Sequence, residues 1–353
     1  MSNLKNILVT RFSSMGDVVL TIPVVRGFLK DYPNYQIVFV TREIFFPFFS
    51  NIDRLTLIAF DPQGKHAGLG GMWRLAKDIN RQFKIEFMID LHNVLRTYLL
   101  SFFLKKSATY RLDKGRAEKE LFVRRENKIR KILKHTSDRY AEVFGRAGLP
   151  VRIFSGPWLL PEPPSEAATE VLAIIKKDKF FLTAIGLAPF AKHRTKMWPM
   201  EKSRKLIELL SDTKKVKVYL FGAAGSEASL LKLIADTHPN VINIAGKYSF
   251  SDEINIMKEL KLMVAMDSGN MHLASLAGTR VMSIWGATHP DVGFAPLGDN
   301  QTLLMQADEQ EVSCRPCSVF GDKPCFRGDY ICMNAITVEN VFKKLCAQSG
   351  VLL

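Results

Sequence analysis

Three short stretches carry side chains whose type and spacing could do chemistry. The first is Asp267-Ser268-Gly269-Asn270-Met271-His272, directly after the apolar run Leu262-Met263-Val264-Ala265-Met266. A strand that runs into a small polar turn and a helix start presents free backbone N–H groups and the positive end of a helix dipole, which suits a diphosphate. Gly269 would let such a ligand approach the backbone closely. The same residues also fit a plain helix start, with Asp267 or Ser268 as the cap and Gly269 as the turn. His272, one turn further on, either faces the same pocket or packs in the interior. The second stretch is Lys196-Met197-Trp198-Pro199, where a cation between a strand and a helix could neutralise a phosphate or hold a sugar hydroxyl, with Trp198 packing beneath the helix. The third, Arg11-Phe12-Ser13-Ser14-Met15-Gly16-Asp17, puts a carboxylate at a strand-to-helix junction. Asp17 is either a proton acceptor for an attacking hydroxyl or a helix cap. The two settings differ chemically: capping bonds hold a carboxyl acidic, whereas desolvation pushes it toward a useful base.

Some absences choose between mechanisms. The chain has no D-x-D carboxylate pair to hold a metal diphosphate, so leaving-group charge would fall to backbone N–H groups and lysine, and no metal ligand is expected. Neither G-x-G-x-x-G nor a Walker pattern is present, which argues against a nicotinamide dehydrogenase and for no bound cofactor.

The elements that must position these residues alternate. Residues 6–12 read as a buried strand, 13–16 as a loop, 17–30 as one helix and 36–41 as a second strand, a β-α-β opening. Further strands fit 55–60 and 86–90, with helices at 72–82 and 94–104. Gly156, Pro157, Pro161, Pro163 and Pro164 interrupt regular structure between 154 and 169 and mark a domain boundary. Beyond it the pattern restarts, with strands at 181–187, 217–221, 241–244, 262–266 and 280–285 and helices between them, the first opened by Pro199. Such alternation specifies mostly parallel sheets covered on both faces, an α/β fold in two Rossmann-like halves across a cleft. The last helix, 338–347, is a candidate to pack back on the first half.

Length agrees with two domains: 353 residues, 47% apolar and 24% charged, supply material for two cores. No run of about eighteen apolar residues occurs, and charged residues break up the N-terminal apolar run, so neither a membrane span nor a signal peptide is expected and the compartment reads as cytoplasmic. Net charge is +14, and residues 105–134 hold twelve Lys or Arg against four Asp or Glu, a net of +8. That segment is either a solvated face or a surface for polyanions such as a phosphorylated glycolipid at a membrane; no zinc-finger, RRM or helix-turn-helix pattern supports nucleic acid. Cys314, Cys317, Cys325 and Cys332 are spaced by two, seven and six residues, which starts like a zinc site but lacks the second close pair, so reduced thiols are expected.

Taken together, the segments 7–17 continuing through Val18-Val19-Leu20-Thr21-Ile22-Pro23, then Thr195 to Pro199, then Met266 to Ala274, and Ile284-Trp285-Gly286-Ala287-Thr288-His289-Pro290 resemble glycosyltransferase family 9, the ADP-heptose:lipopolysaccharide heptosyltransferases. They occur in family order and span nearly the whole chain. The resemblance implies a GT-B fold, with 1–160 binding the acceptor, 161–335 binding the nucleotide-sugar donor and 336–353 a C-terminal helix. It implies that Asp17 is the general base, that Lys196 and Asp267 contact donor phosphate and sugar hydroxyls, and that Ser268, Gly269 and His272 form the diphosphate turn. Glu227 falls at a ribose-binding position and Tyr248 at an adenine-contacting one. The chain departs from the family at the basic loop Pro189-Phe190-Ala191-Lys192-His193-Arg194 and at Met197, where His or Arg is commoner. The function implied is transfer of heptose to the anionic lipopolysaccharide inner core at the inner membrane surface, without nucleic acid. Two rivals stand beside it: a GT-B transferase with another nucleotide sugar and acceptor, and a non-catalytic nucleotide- or polyanion-binding protein of the same fold.

Overall fold

In the computed structural model, which describes residues 4–105, 107–178, 182–298 and 303–351, the chain forms two compact units. The main division falls between Leu160 and Pro161, inside the proline-rich stretch, and the segment Ala117–Leu133 groups with the second unit although its neighbours on both sides belong to the first.

Unit 1 runs β1 (Lys5–Thr10), α1 (Met15–Val19), α2 (Ile22–Asp31), β2 (Tyr35–Thr41), β3 (Leu55–Ala59), α3 (Gly68–Gln82), β4 (Ile85–Asp90), α4 (Leu95–Phe103) and β5 (Ala108–Arg111). A helix α5 (Arg116–Val123) carries the chain over to unit 2, and α6 (Thr136–Arg146) returns it. The strands are all parallel in the order β3-β2-β1-β4-β5, so the chain's direction of travel across the sheet reverses between β1 and β4. Continuous apolar runs such as Ile7-Leu8-Val9 are the mark of strands buried on both faces. The single helix expected over 17–30 is two helices. Thr21 Oγ1 donates to the Val18 carbonyl at 2.7 Å, and Pro23, which has no N–H, sits in the first turn of the second helix, where none is needed. Strand β5 and helices α5 and α6 went unread in the sequence, the strand because it is four residues long.

Unit 2 runs α7 (Glu166–Asp178), β6 (Thr183–Ala188), α8 (Met200–Asp212), β7 (Val216–Leu220), α9 (Ser226–Ala235), β8 (Val241–Asn243), α10 (Phe250–Glu259), β9 (Leu262–Met266), α11 (Gly269–Ala277), β10 (Val281–Trp285), β11 (Leu303–Gln306), α12 (Ile331–Asn334) and α13 (Val338–Ser349). Its parallel sheet has the order β11-β10-β9-β6-β7-β8, with the reversal between β6 and β9. Pro199 is the N-cap of α8 rather than its first residue, and Phe181, read as the start of β6, lies outside the described residues. Helix α13 packs on α8 within unit 2, where Val341 and Leu345 join the core. Among the described residues no helix is long and apolar enough to cross a membrane.

One buried acid makes unit 2 sensitive to pH. Glu253 in α10 is pushed up to about 8 by burial and by adjacent Asp252. Its folded-state pKa lies above the unfolded one, so its contribution to stability is full below about 4.5 and is lost as pH rises to about 8. Glu253→Gln is therefore expected to match the wild-type melting temperature at the acid end of that window. Above it the variant should be more stable by an amount on the order of a few kcal/mol. Parallel melting curves at both ends would contradict this.

Candidate functional site

In an open parallel sheet, ligands bind beyond the carboxyl ends of the strands, at the point where strand order reverses. In unit 2 that point lies between β6 and β9, and the loops leaving those two strands carry Lys196 and Asp267. The Lys196 ammonium sits 2.7 Å from Asp267 Oδ2, with both side chains largely buried. The same oxygen accepts a hydrogen bond from Thr288 Oγ1 at 2.7 Å, from the loop after β10. Three adjacent strand ends therefore contribute one cation, one anion and one hydroxyl.

The arrangement takes Asp267 out of the capping role at the turn 267–272. Asp267 is not a cap, because its carboxylate is turned to Lys196 and Thr288. Ser268 holds the N-cap position of α11, yet its side chain makes no capping bond, and Ser268 Oγ is shielded without a hydrogen-bond partner among the described residues. A shielded hydroxyl without a partner is costly, and here it stands at the positive end of a nine-residue helix. Gly269 opens that helix, and His272 is buried in its first turn.

Glu227 and Tyr248 lie further along the same sheet edge. Glu227, in the first turn of α9, folds back so that its carboxylate accepts the Ala223 N–H at 2.7 Å. Tyr248 follows β8, half-buried, and its hydroxyl is held above its ordinary pKa by burial, then by Glu170 and Asp252. The two loops are pinned together at Gly246, whose left-handed φ of +68° brings it so close to Ala224 that a Cβ would stand 2.7 Å from that residue's Cα.

The cysteine-bearing segment buttresses this site. Cys317 and Ser318 both donate their N–H groups to the Ala287 carbonyl, one residue before Thr288. Gly321, at φ +74°, lies against the stem of Lys196, where a Cβ would come within 2.5 Å of Lys196 Cγ and Cδ. Arg315, fully buried at 0% exposure, donates to the carbonyls of Gly286, Thr288 and Ala307. All five cysteines are thiols, and among the described residues no group of three or more His, Cys, Asp or Glu is disposed to hold a metal.

Unit 1 repeats the logic. Its reversal lies between β1 and β4, and the ends of those strands and the segments that follow them carry Arg11, Asp17, Asp90 and His92. Asp17 is the third residue of α1, not its N-cap. Its Oδ2 accepts from Ser14 Oγ at 2.8 Å and stands 2.6 Å from Arg11 Nη2. Arg11 is itself buried, donates to the Leu91 carbonyl at 2.8 Å and lies over the Tyr140 ring, while the Tyr140 hydroxyl donates to the Asp17 carbonyl. Burial works against Arg11's charge, but Asp17, Tyr140 and Asp90 outweigh it and raise its pKa. His92 is pushed down to about 3 by burial, then by Arg11 and Lys114, so it is a neutral imidazole beside this pair.

The basic segment is mostly occupied. Lys128 Nζ donates to the carbonyls of Cys314 and Pro316 at 2.7 and 2.8 Å, Arg130 bonds the Arg315 carbonyl and pairs with Glu309, and Lys119 is buried against the Phe294 ring. Arg124 closes on the Asn127 carbonyl and Lys134 pairs with Glu142. Phe122, Val123 and Leu133 bury their side chains with Val292. Of the segment 105–134, for which a solvated face and a polyanion surface were both open, residues Ala117–Leu133 form a strap within unit 2 and Lys106 lies outside the described residues.

Sequence reasoning assigned no role to Arg11, Thr288, His92 or Arg315. The first two stand in the motifs quoted above, and His92 stands two residues beyond the end of β4, the position the strand-end rule singles out. Nothing in the sequence marks Arg315.

The sequence profile of glycosyltransferase family 9 (heptosyltransferase) matches residues 72–320. Lipopolysaccharide core heptosyltransferase OpsX of Haemophilus influenzae is 23% identical, over 97% of this chain and 96% of its own. The crystal structure of a family 9 glycosyl transferase from Veillonella parvula superposes with a TM-score of 0.75 at 21% identity, covering 99% of this chain and 98% of that one. Heptosyltransferase WaaC of E. coli, solved with ADP-2-deoxy-2-fluoro heptose, superposes with a TM-score of 0.67 at 18% identity, covering 96% and 98%. The architecture is that of the GT-B fold, two Rossmann-like domains.

Proposed function

The chain belongs to glycosyltransferase family 9, and on that premise we propose that this glycosyltransferase moves a heptose from ADP-heptose to the inner core of lipopolysaccharide, a lipid A-Kdo acceptor, with inversion and without a metal. The observation that carries the reading is the Lys196–Asp267–Thr288 cluster beside the shielded, unpartnered Ser268 hydroxyl at the start of α11. A diphosphate there gains the N–H groups of α11, the Ser268 hydroxyl and the Lys196 charge, which stabilise the negative charge that grows as it leaves. Asp267 then turns to donor sugar hydroxyls. Glu227 takes the ribose, Tyr248 lies against the adenine, and Gly269 and His272 complete the turn.

In unit 1, Asp17 accepts the proton of the acceptor hydroxyl as it attacks the anomeric carbon. Arg11 and Ser14 fix which oxygen points where. The acceptor is an anionic glycolipid, so the enzyme works peripherally at the cytoplasmic face of the inner membrane. Relatives named as heptosyltransferases support the sugar, and the WaaC complex supports the adenine nucleotide.

Competition between nucleotides tests the donor. ADP is expected to bind more tightly than UDP or GDP and to compete with the sugar nucleotide. Equal affinity for all three would point to a different donor, and donor binding without transfer to a non-catalytic protein.

A further inference from the structure

Helix α4 is apolar on two faces and only one of them is covered. Leu100 and the following Leu104 are buried in the unit 1 core with Met72, Leu75 and Ile79 of α3. On the other side Leu95, Tyr98 and Phe102 are 76%, 47% and 80% exposed. Their i, i+3, i+7 spacing puts them within an arc of about 60°. A surface helix ordinarily turns polar residues outward, so three large exposed side chains in register form a patch that asks for a partner.

Helix α3 extends the patch. The Asn80 side chain donates to the Phe103 carbonyl and accepts the Lys105 N–H, so α3 and α4 lie side by side. Leu69 and Trp73, one turn apart on α3, are 60% and 49% exposed. Along α4 and the segment that follows it the charges are of one sign. Residues 91–112 contain no Asp or Glu and carry Arg96, Lys105, Lys106 and Arg111. The Arg111 guanidinium lies 4.2 Å over the Tyr98 ring and the Lys77 ammonium 5.1 Å over Trp73. Aliphatic and aromatic side chains interleaved with Lys and Arg, without acids, are the composition of a surface that inserts apolar tips among acyl chains and leaves its cations at anionic headgroups.

We propose that the exposed face of α4, with the N-terminal half of α3, docks unit 1 onto an anionic lipid bilayer. Leu95 stands three residues past His92, so the docking helix starts at the rim of the Arg11–Asp17 cluster. Docking there holds the proton acceptor at the level where the sugars of a membrane-anchored acceptor emerge. This deepens the glycolipid reading above and rests on it for its purpose. The binding itself is a property of these residues and needs no acceptor.

The test is co-sedimentation of the full chain with vesicles of equimolar phosphatidylglycerol and phosphatidylcholine, and of phosphatidylcholine alone, at low and high salt, with ADP affinity measured in parallel. Wild-type protein is expected to bind the anionic vesicles, less so at high salt. Leu95→Asp/Phe102→Asp should bind at least about tenfold more weakly, and Arg96→Ser/Lys105→Ser about fivefold more weakly per charge removed. All four positions are exposed, so a thermal melt close to wild type is expected and is checked first. No wild-type binding, binding that Leu95→Asp/Phe102→Asp leaves unchanged, or a wild-type dimer in solution that this variant abolishes would each overturn the proposal. Failure of ADP binding with vesicle binding intact would instead overturn the function proposed above and leave the docking face standing.

Discussion

Asp17→Asn is expected to lower turnover by about 10²–10⁴-fold while leaving ADP affinity unchanged. The two effects separate because Asp17 belongs to unit 1 and the turn assigned to the diphosphate to unit 2. Asparagine keeps an oxygen for the Ser14 hydroxyl but has no charge to offer Arg11, which is buried and points its second nitrogen at the Leu91 carbonyl. Some loss of stability will follow. A fully buried pair broken in this way costs about 3–5 kcal/mol, and this one should cost less, since Asp17 is 23% exposed. Arg11→Gln/Asp17→Asn removes both charges, so it should melt closer to wild type while remaining as inactive as Asp17→Asn. Turnover recovered along with the melting temperature would show that Asp17 acts on folding and not on the acceptor's proton.

Lys196→Met should cost about 10²–10³-fold in turnover, the scale of a lost charge at a developing anion. It should also weaken ADP binding. Methionine keeps the aliphatic stem that packs on Gly321, so the change is confined to the ammonium. Its removal leaves the Asp267 carboxylate with the Thr288 hydroxyl but without its cation in a largely buried place, and melting should fall. Lys196→Met/Asp267→Asn is the decisive companion. It relieves the buried charge and should regain most of the lost melting temperature, yet regain no turnover. If Lys196 were only half of a structural ion pair, the double variant would recover both.

The parts legible in the sequence were those in which local pattern and tertiary role agree. Ile7-Leu8-Val9 and Leu262 to Met266 read as buried strands because parallel strands covered on both faces need continuous apolar runs. The turn after β9 was ambiguous for a physical reason: a capped helix and an anion-binding helix start use the same small polar residues. Only the positions of Lys196 and Thr288, brought in by β6 and β10, pull Asp267 off the cap. The basic run over 105–134 stayed open because charge counted along a chain does not say which cations spend their bonds on carbonyls. Lys128 and Arg130 do so, on a segment far off in sequence. Arg315 was invisible on the same ground, since a fully buried arginine is defined by the carbonyls around it. The exposed face of α4 was hidden by its own regularity. A stretch reading Leu-Arg-Thr-Tyr-Leu-Leu-Ser-Phe-Phe announces a buried helix, and only its placement reveals which half of it meets the core.

The reaction proposed for this family 9 enzyme is transfer of heptose from an adenine nucleotide without help from a metal. Its most direct test is mass spectrometry of a lipid A-Kdo acceptor incubated with the protein, ADP-heptose and EDTA. The expected product is an acceptor heavier by one heptose, with ADP released in equal amount and at the rate seen without chelator. An unchanged acceptor mass under conditions where ADP binding is demonstrable, or transfer that EDTA abolishes and added divalent cation restores, would contradict it.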